Sequence, residues 1–230
     1  MKAVIADSTK TIGLTVRRLT LQKVLFICGI LYFPLYFTGH ILAGMQLEGY
    51  SHLDQMVSEL SAIGVPTRPL LDVFGIAGNV LLIAFGMGVW DASGDKRPLR
   101  ATGIMIAVLG VLAFSWWFAP MSSRASEKGA NDIAHVAIAY TEVLLLMLII
   151  GFGSAADGRW FRVYSILTIL ASLAAGIWVG TQVPLIAQGL PTPWAGAIER
   201  MSVYGPLVWM MVLAIILLHE QMGQVVRAKR

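Results

Sequence analysis

Three ionisable residues inside one apolar segment carry the strongest chemical signal in this sequence. Asp132, His135 and Glu142 are separated by three and seven residues, and at about 100° per residue a helix brings all three to one face. Glu142 then stands about 15 Å along the helix from Asp132, at a rise of about 1.5 Å per residue. Near the middle of a bilayer a carboxylate costs on the order of 3 kcal/mol, so it needs a proton or a partner. Asp132 has a second role open to it, because Asn131 and Asp132 are natural helix N-caps. Other apolar segments hold matching groups. Asp72 and Asn79 are seven apart beside Gly75 and Gly78; Tyr32, Tyr36 and His40 recur every four residues beside Pro34, which should kink a helix; and Glu199-Arg200 leads into Ser202, Tyr204, Pro206 and Trp209.

Gathered at one depth, these groups suit three kinds of work. An outer-facing cavity lined by Glu142, His135, Asp72 and Arg200 can bind or transport a lipid head group, an amphiphile or a proton-coupled solute, and this is the leading expectation. A metal-dependent intramembrane lipid hydrolase is the alternative. His40, His52 and His135 with Asp54, Asp72 or Asp132 are adequate zinc ligands, and Ser58 or Glu142 can assist an activated water. No H-x-x-x-H or H-E-x-x-H pair exists, so such ligands must come from separate segments. A haem held by His40 and His135 is a weaker variant. The third reading is a non-catalytic accessory membrane protein, and on balance catalysis is not expected. The phosphate-binding loop, the dinucleotide fingerprint and the G-x-S-x-G elbow are all absent from the sequence.

The elements that must position these residues follow from composition. The chain has 230 residues, 57% hydrophobic and only 13% charged, with a mean hydropathy of +0.74; that is a polytopic membrane protein rather than a soluble domain. A bilayer core about 30 Å thick takes roughly 20 helical residues per crossing, and six spans fit, near 21–43, 70–90, 101–119, 133–152, 163–186 and 201–219. The expected fold is an all-α six-transmembrane-helix bundle, with an amino-terminal segment 1–20 and a basic tail 220–230. The first span follows Arg17, Arg18 and Lys23, but it is long for a signal sequence and no A-x-A site follows, so it reads as an uncleaved anchor.

Charge sets the orientation. With the amino terminus inside, thirteen of the seventeen basic residues fall on the inner side, and the outer side keeps Arg68, Arg124, Lys128 and Arg200. Both termini are therefore expected to be cytoplasmic, in the inner (plasma) membrane. The net charge of +4 is a topology signal, and nucleic acid is not an expected partner. The expected partners are the lipid bilayer, an amphiphile ligand, and a second copy where Gly-rich spans meet between bundles. Arg68, Arg124 and Arg200 stand where lipid phosphates lie, and Trp116, Trp117 and Trp194 suit an aromatic belt. The lone Cys28 excludes an intramolecular disulfide.

The outer loop 44–69 is the richest connection. Leu53, Met56, Val57, Leu60 and Ile63 recur at helical spacing, which predicts a short amphipathic helix on the membrane surface. Within it, Ser58-Glu59-Leu60-Ser61-Ala62-Ile63-Gly64-Val65-Pro66 resembles the Ser-Glu-Leu-x-Ala-x-Gly signature of the bacterial membrane proteins called domain of unknown function 998. Phe118-Ala119-Pro120 leading through Gly129 to His135, and Glu199-Arg200 followed by Pro206 to Trp209, are similar to that family's later segments. The resemblance implies a six-span fold in the inner membrane and no established reaction. It nominates Ser58, Glu59, His135, Glu199 and Arg200 as positions where pattern and physical reading coincide.

Overall fold

The computed structural model describes the backbone of residues 2–228 and the side chains of residues 17–223. The basic residues Lys2, Lys10, Arg227, Lys229 and Arg230, invoked above for orientation, therefore have no described side chains. Six α-helices follow one another: α1 Lys2–Gln46, α2 Arg68–Ala92, α3 Arg97–Leu112, α4 Ala130–Gly153, α5 Arg159–Ala187 and α6 Ala195–Ala228. Two five-residue 3-10 helices, Val57–Ser61 and Ala113–Trp117, complete the regular structure, and no strand occurs among the described residues. All six long helices are apolar enough to cross a membrane, and the protein is a multi-pass helical bundle.

Why these stretches are helical is plain from their make-up. Long runs of Leu, Ile, Val, Ala and Phe leave no backbone group a polar partner except within the helix, and in hydrocarbon that requirement is strict. Side chains such as Val73, Ile133, Tyr140 and Ile177 point outward and are exposed, 64%, 75%, 70% and 72% respectively; their natural neighbour is lipid. Pro34 does not interrupt α1, which continues helical on both sides of it.

Consecutive helices run antiparallel. The connections 47–67, 118–129 and 188–194 meet at one end, here the lid end, while 93–96 and 154–158 lie at the other with the termini. The packed core sits in the terminal half, where Phe26, Leu82, Phe85, Ile106, Trp209 and Leu213 are 0–1% exposed. Trp209 donates its indole N–H to Ser165 Oγ at 2.8 Å and stacks on Phe161 at 5.3 Å. It is thus a core residue and lies away from the polar groups that lead α6. The α2–α3 hairpin is the tightest pairing in the bundle: a Cβ at Gly86 would come 2.5 Å from Ala107 N, so these backbones touch directly. By contrast α4 packs on α3 and meets α5 and α6 sparsely; its buried residues are Ile149, Ile150 and Gly153, all near its terminal end.

Candidate functional site

Above the core, in the lid half, the bundle encloses a cavity of about 320 Å³. Five of the six helices line it; α5 does not. From α1 come Tyr32, Tyr36 and His40, from α2 Arg68, Asp72 and Asn79, from α4 His135 and Glu142, and from α6 Glu199 and Ser202. Val57, Ser58 and Ser61 of the first 3-10 helix close its lid end, and Trp116 and Trp117 of the second form part of the wall.

Each carboxylate in this wall is held by a specific donor. Trp116 donates its indole N–H to Glu142 Oε1 at 2.8 Å, and Trp117 donates to Asp72 Oδ1 at 2.7 Å. The change from α to 3-10 geometry after Leu112 turns the two neighbouring indoles toward different helices. Asp72 is also paired with Arg68 at 4.0 Å, and Arg68 donates to the Trp117 carbonyl at 3.0 Å. The ring of His135 meets Trp116 edge-on at 4.7 Å, so His135, Trp116 and Glu142 form one cluster. His135 Nδ1 lies 2.9 Å from the Ala119 carbonyl and His40 Nδ1 2.8 Å from the Tyr36 carbonyl. A carbonyl only accepts, so in both rings Nδ1 carries the proton.

Glu199 has a structural partner as well. Its Oε2 accepts from the Val57 N–H and its Oε1 from Ser58 Oγ at 3.3 Å, so a carboxylate from α6 caps the start of the first 3-10 helix. Glu59, the next residue of the signature, does not line the cavity. It accepts from Met56 N at 2.9 Å and takes a two-pronged contact from Arg124, at 2.9 Å from Nε and 2.8 Å from Nη2. Arg124 continues to the Leu190 carbonyl at 2.8 Å and Thr192 Oγ1 at 3.0 Å, tying three connections together. Arg200 completes the lid: it donates to the carbonyls of His52 (2.7 Å) and Gly196 (2.9 Å) and to Tyr50 Oη (2.7 Å). Gly196 is required where α6 passes under this loop, because a Cβ there would overlap the Gln55 carbonyl.

Several expectations change here. The loop 44–69 does not lie on the membrane surface as an amphipathic helix. Met56, Val57 and Leu60 are 4%, 4% and 0% exposed, because Glu199, Arg124 and the Thr67 hydroxyl, 2.6 Å from the Leu60 carbonyl, draw the segment into the bundle. Asp132 shares a helix turn with His135 but points away from the cavity. As the third residue of α4 it reaches back to the Gly129 N–H at 2.9 Å and accepts from Ser122 N and Oγ at 2.8 and 2.6 Å. Arg68, Arg124 and Arg200 each donate to partners inside the protein. Trp116 and Trp117 were expected in an interfacial belt; the signal for their actual role was the presence of Asp72 and Glu142, two carboxylates inside apolar spans that each need a donor. Among the described residues no group of three His, Cys, Asp or Glu side chains gathers at metal-binding distance: His40 and His135 share the cavity, and His52 belongs to the lid.

Outside the spans, burial holds the Tyr50 phenol up to about 12, which keeps it a donor to the carbonyls of Gln55 and Met56 at 3.1 and 2.9 Å. Burial and the adjacent Arg200 hold His52 below its usual 6.5, and its Nδ1 stands 3.2 Å from Arg200 Nη2. A base whose folded pKa is lowered contributes stability that is complete above the unfolded value and lost as pH falls below it. The thermal midpoint is therefore expected to drop between about pH 7 and pH 5, and to drop less in His52→Asn. Parallel profiles for the two proteins would show that His52 does not restrain the lid.

No curated protein and no solved structure matches the chain. The family model described as Protein of unknown function (DUF998) matches residues 30–216, a stretch that contains the whole cavity wall from Tyr32 to Leu207 together with its lid, and the chain belongs to this family.

Proposed function

We propose that this integral membrane protein binds an amphiphile whose polar head occupies the lidded cavity, and that it sits in the plasma membrane with both termini cytoplasmic and the lid outside. The observation that carries the reading is the cavity itself: a chamber of about 320 Å³ inside a membrane bundle, with charged and polar groups set in a largely apolar wall, at the small end of ligand sites and sized for a head group rather than a whole lipid. A purely structural polar cluster would be packed shut, because an open space forfeits dispersion contacts.

The route for the tail is lateral. The lid is tied down by Arg124 and Arg200, whereas the lid half of α4 is sparsely joined to α5 and α6. An acyl chain can lie in that seam while its head sits within the cavity. Exchange with the surrounding leaflet then needs only a small outward movement of α4, the helix with the fewest buried residues.

Ala139 lines the cavity from α4 between His135 and Glu142. Replacing it by Phe fills the chamber at a helix with room to shift. Native mass spectrometry of gently solubilised wild-type protein is expected to show a retained amphiphile, and Ala139→Phe is expected to release it. A bare wild-type chain, or equal retention in the folded variant, would refute the reading.

A further inference from the structure

The chemistry left unsatisfied on the cavity wall specifies the charge of the ligand. Four side chains of fixed charge type reach it, Asp72, Glu142, Glu199 and Arg68. Arg68 is occupied by Asp72 and the Trp117 carbonyl. Both oxygens of Glu199 are taken by the lid, and Asp72 is held by Trp117 and Arg68. Glu142 differs. Its Oε1 accepts from Trp116, its Oε2 has no hydrogen-bond partner among the described residues, and the side chain lines the cavity.

Several donors in the same space are already committed. Both indole N–H groups go to carboxylates. The hydroxyls of Ser58, Ser61 and Ser202 donate to Glu199, the Ser58 carbonyl and the Glu199 carbonyl. The Nδ1–H groups of His40 and His135 go to backbone carbonyls, leaving each Nε2 as an acceptor in that tautomer. An anion entering here meets the free oxygen of Glu142 on a wall that carries three carboxylates against one guanidinium, and Tyr32, Tyr36 and Asn79 add only neutral donors. A cation meets that oxygen and the rings of Tyr32, Tyr36, Phe74, Trp116 and Trp117, the combination of acid and π-faces that holds alkylammonium groups.

We propose that the cavity is selective for an ammonium-bearing head group, with Glu142 Oε2 as its counter-ion and the surrounding aromatic rings as its cage. This rests on the amphiphile-binding reading and adds the charge of the ligand to it. The neighbouring basic residues Arg124 and Arg200 stand outside the lining: Arg124 is paired with Glu59 and Arg200 donates to the lid.

The test titrates the purified protein in a non-ionic maltoside with decyltrimethylammonium, decanoate and tetramethylammonium, following tryptophan fluorescence. Binding to Ala139→Phe is subtracted as micellar background. Decyltrimethylammonium is expected to bind saturably and about tenfold or more tighter than decanoate, a comparison within the wild type that needs no variant to fold. Glu142→Gln, checked by circular dichroism, is expected to weaken it about tenfold. Competition by tetramethylammonium would mark a free ammonium compound as the ligand source, and its failure to compete would mark an amphiphile. Decanoate binding as tightly, or no change in Glu142→Gln, would overturn the charge assignment while leaving the cavity reading intact. Absence of saturable binding by all three probes would overturn both.

Discussion

Glu59→Ala is expected to lower the thermal midpoint by roughly 5–10 °C. Glu59 is 5% exposed, and its two oxygens satisfy Met56 N and the guanidinium of Arg124. Removing one member of a buried ion pair leaves the other charged and uncompensated, a loss of about 3–5 kcal/mol for a fully buried pair. The Arg124 side chain is 23% exposed, and water can recover part of its solvation, so about 2–3 kcal/mol is the better expectation. Arg124 also links to Leu190 and Thr192, so the damage should spread to all three connections of the lid. Limited proteolysis should then cut in 118–129 and 188–194 as well as near residue 59. Glu59→Leu combined with Arg124→Met should recover much of the loss, since hydrophobic replacement of a buried pair is often near neutral. The Arg18–Asp91 pair is the control: those side chains are 63% and 32% exposed, and Asp91→Asn should leave the midpoint nearly unchanged. If Glu59→Ala behaves like Asp91→Asn, the lid is not held by this pair.

The parts of the site that were legible in the sequence were those fixed by the cost of polarity in hydrocarbon. Asp72, Asn79, His40, His135, Glu142 and Glu199 line one cavity, because a polar side chain in an apolar span has nowhere to go but inward. Six helices were legible for the same reason. The lid was not. Its apolar spacing at Met56, Val57 and Leu60 fits a surface helix, and only partners distant in sequence, Glu199 and Arg124, make it a short 3-10 turn inside the bundle. Of the two roles open to Asp132 the capping one holds, because in the first helical turn the unsatisfied N–H groups lie closer than the cavity does. The indoles of Trp116 and Trp117 were hidden by statistics that favour the interface for every tryptophan. They are neighbours in the chain, yet each serves a different carboxylate on a different helix.

Gly103→Ala is expected to be severely damaging to the pairing of α2 and α3. A Cβ at Gly103 would overlap Trp90 N and lie 2.8 Å from Gly86 O and from Trp90 Cα. Every one of these atoms is backbone, so no side-chain rotation relieves the contact, and α2 and α3 must move apart along their whole shared face. Overpacking costs about 1–3 kcal/mol where side chains can give, and a backbone obstacle belongs at the upper end of that range or beyond. The opposing gain in helix propensity, about 1 kcal/mol for Gly to Ala, is too small to offset it. Separation of these helices also moves Asp72 and Asn79 relative to Trp117 and Glu142, so ligand retention should fall together with stability. Gly86→Ala meets the same gap from the other side, with contacts at 2.5 Å to Ala107 N and 2.7 Å to Gly103 O. The double variant should therefore cost less than the sum of the two, since one displacement relieves both clashes. At Gly151 a Cβ meets nothing within 4 Å, and Gly151→Ala should be neutral or slightly stabilising. Equal midpoints for Gly103→Ala and Gly151→Ala in detergent would show that α2 and α3 do not touch as described.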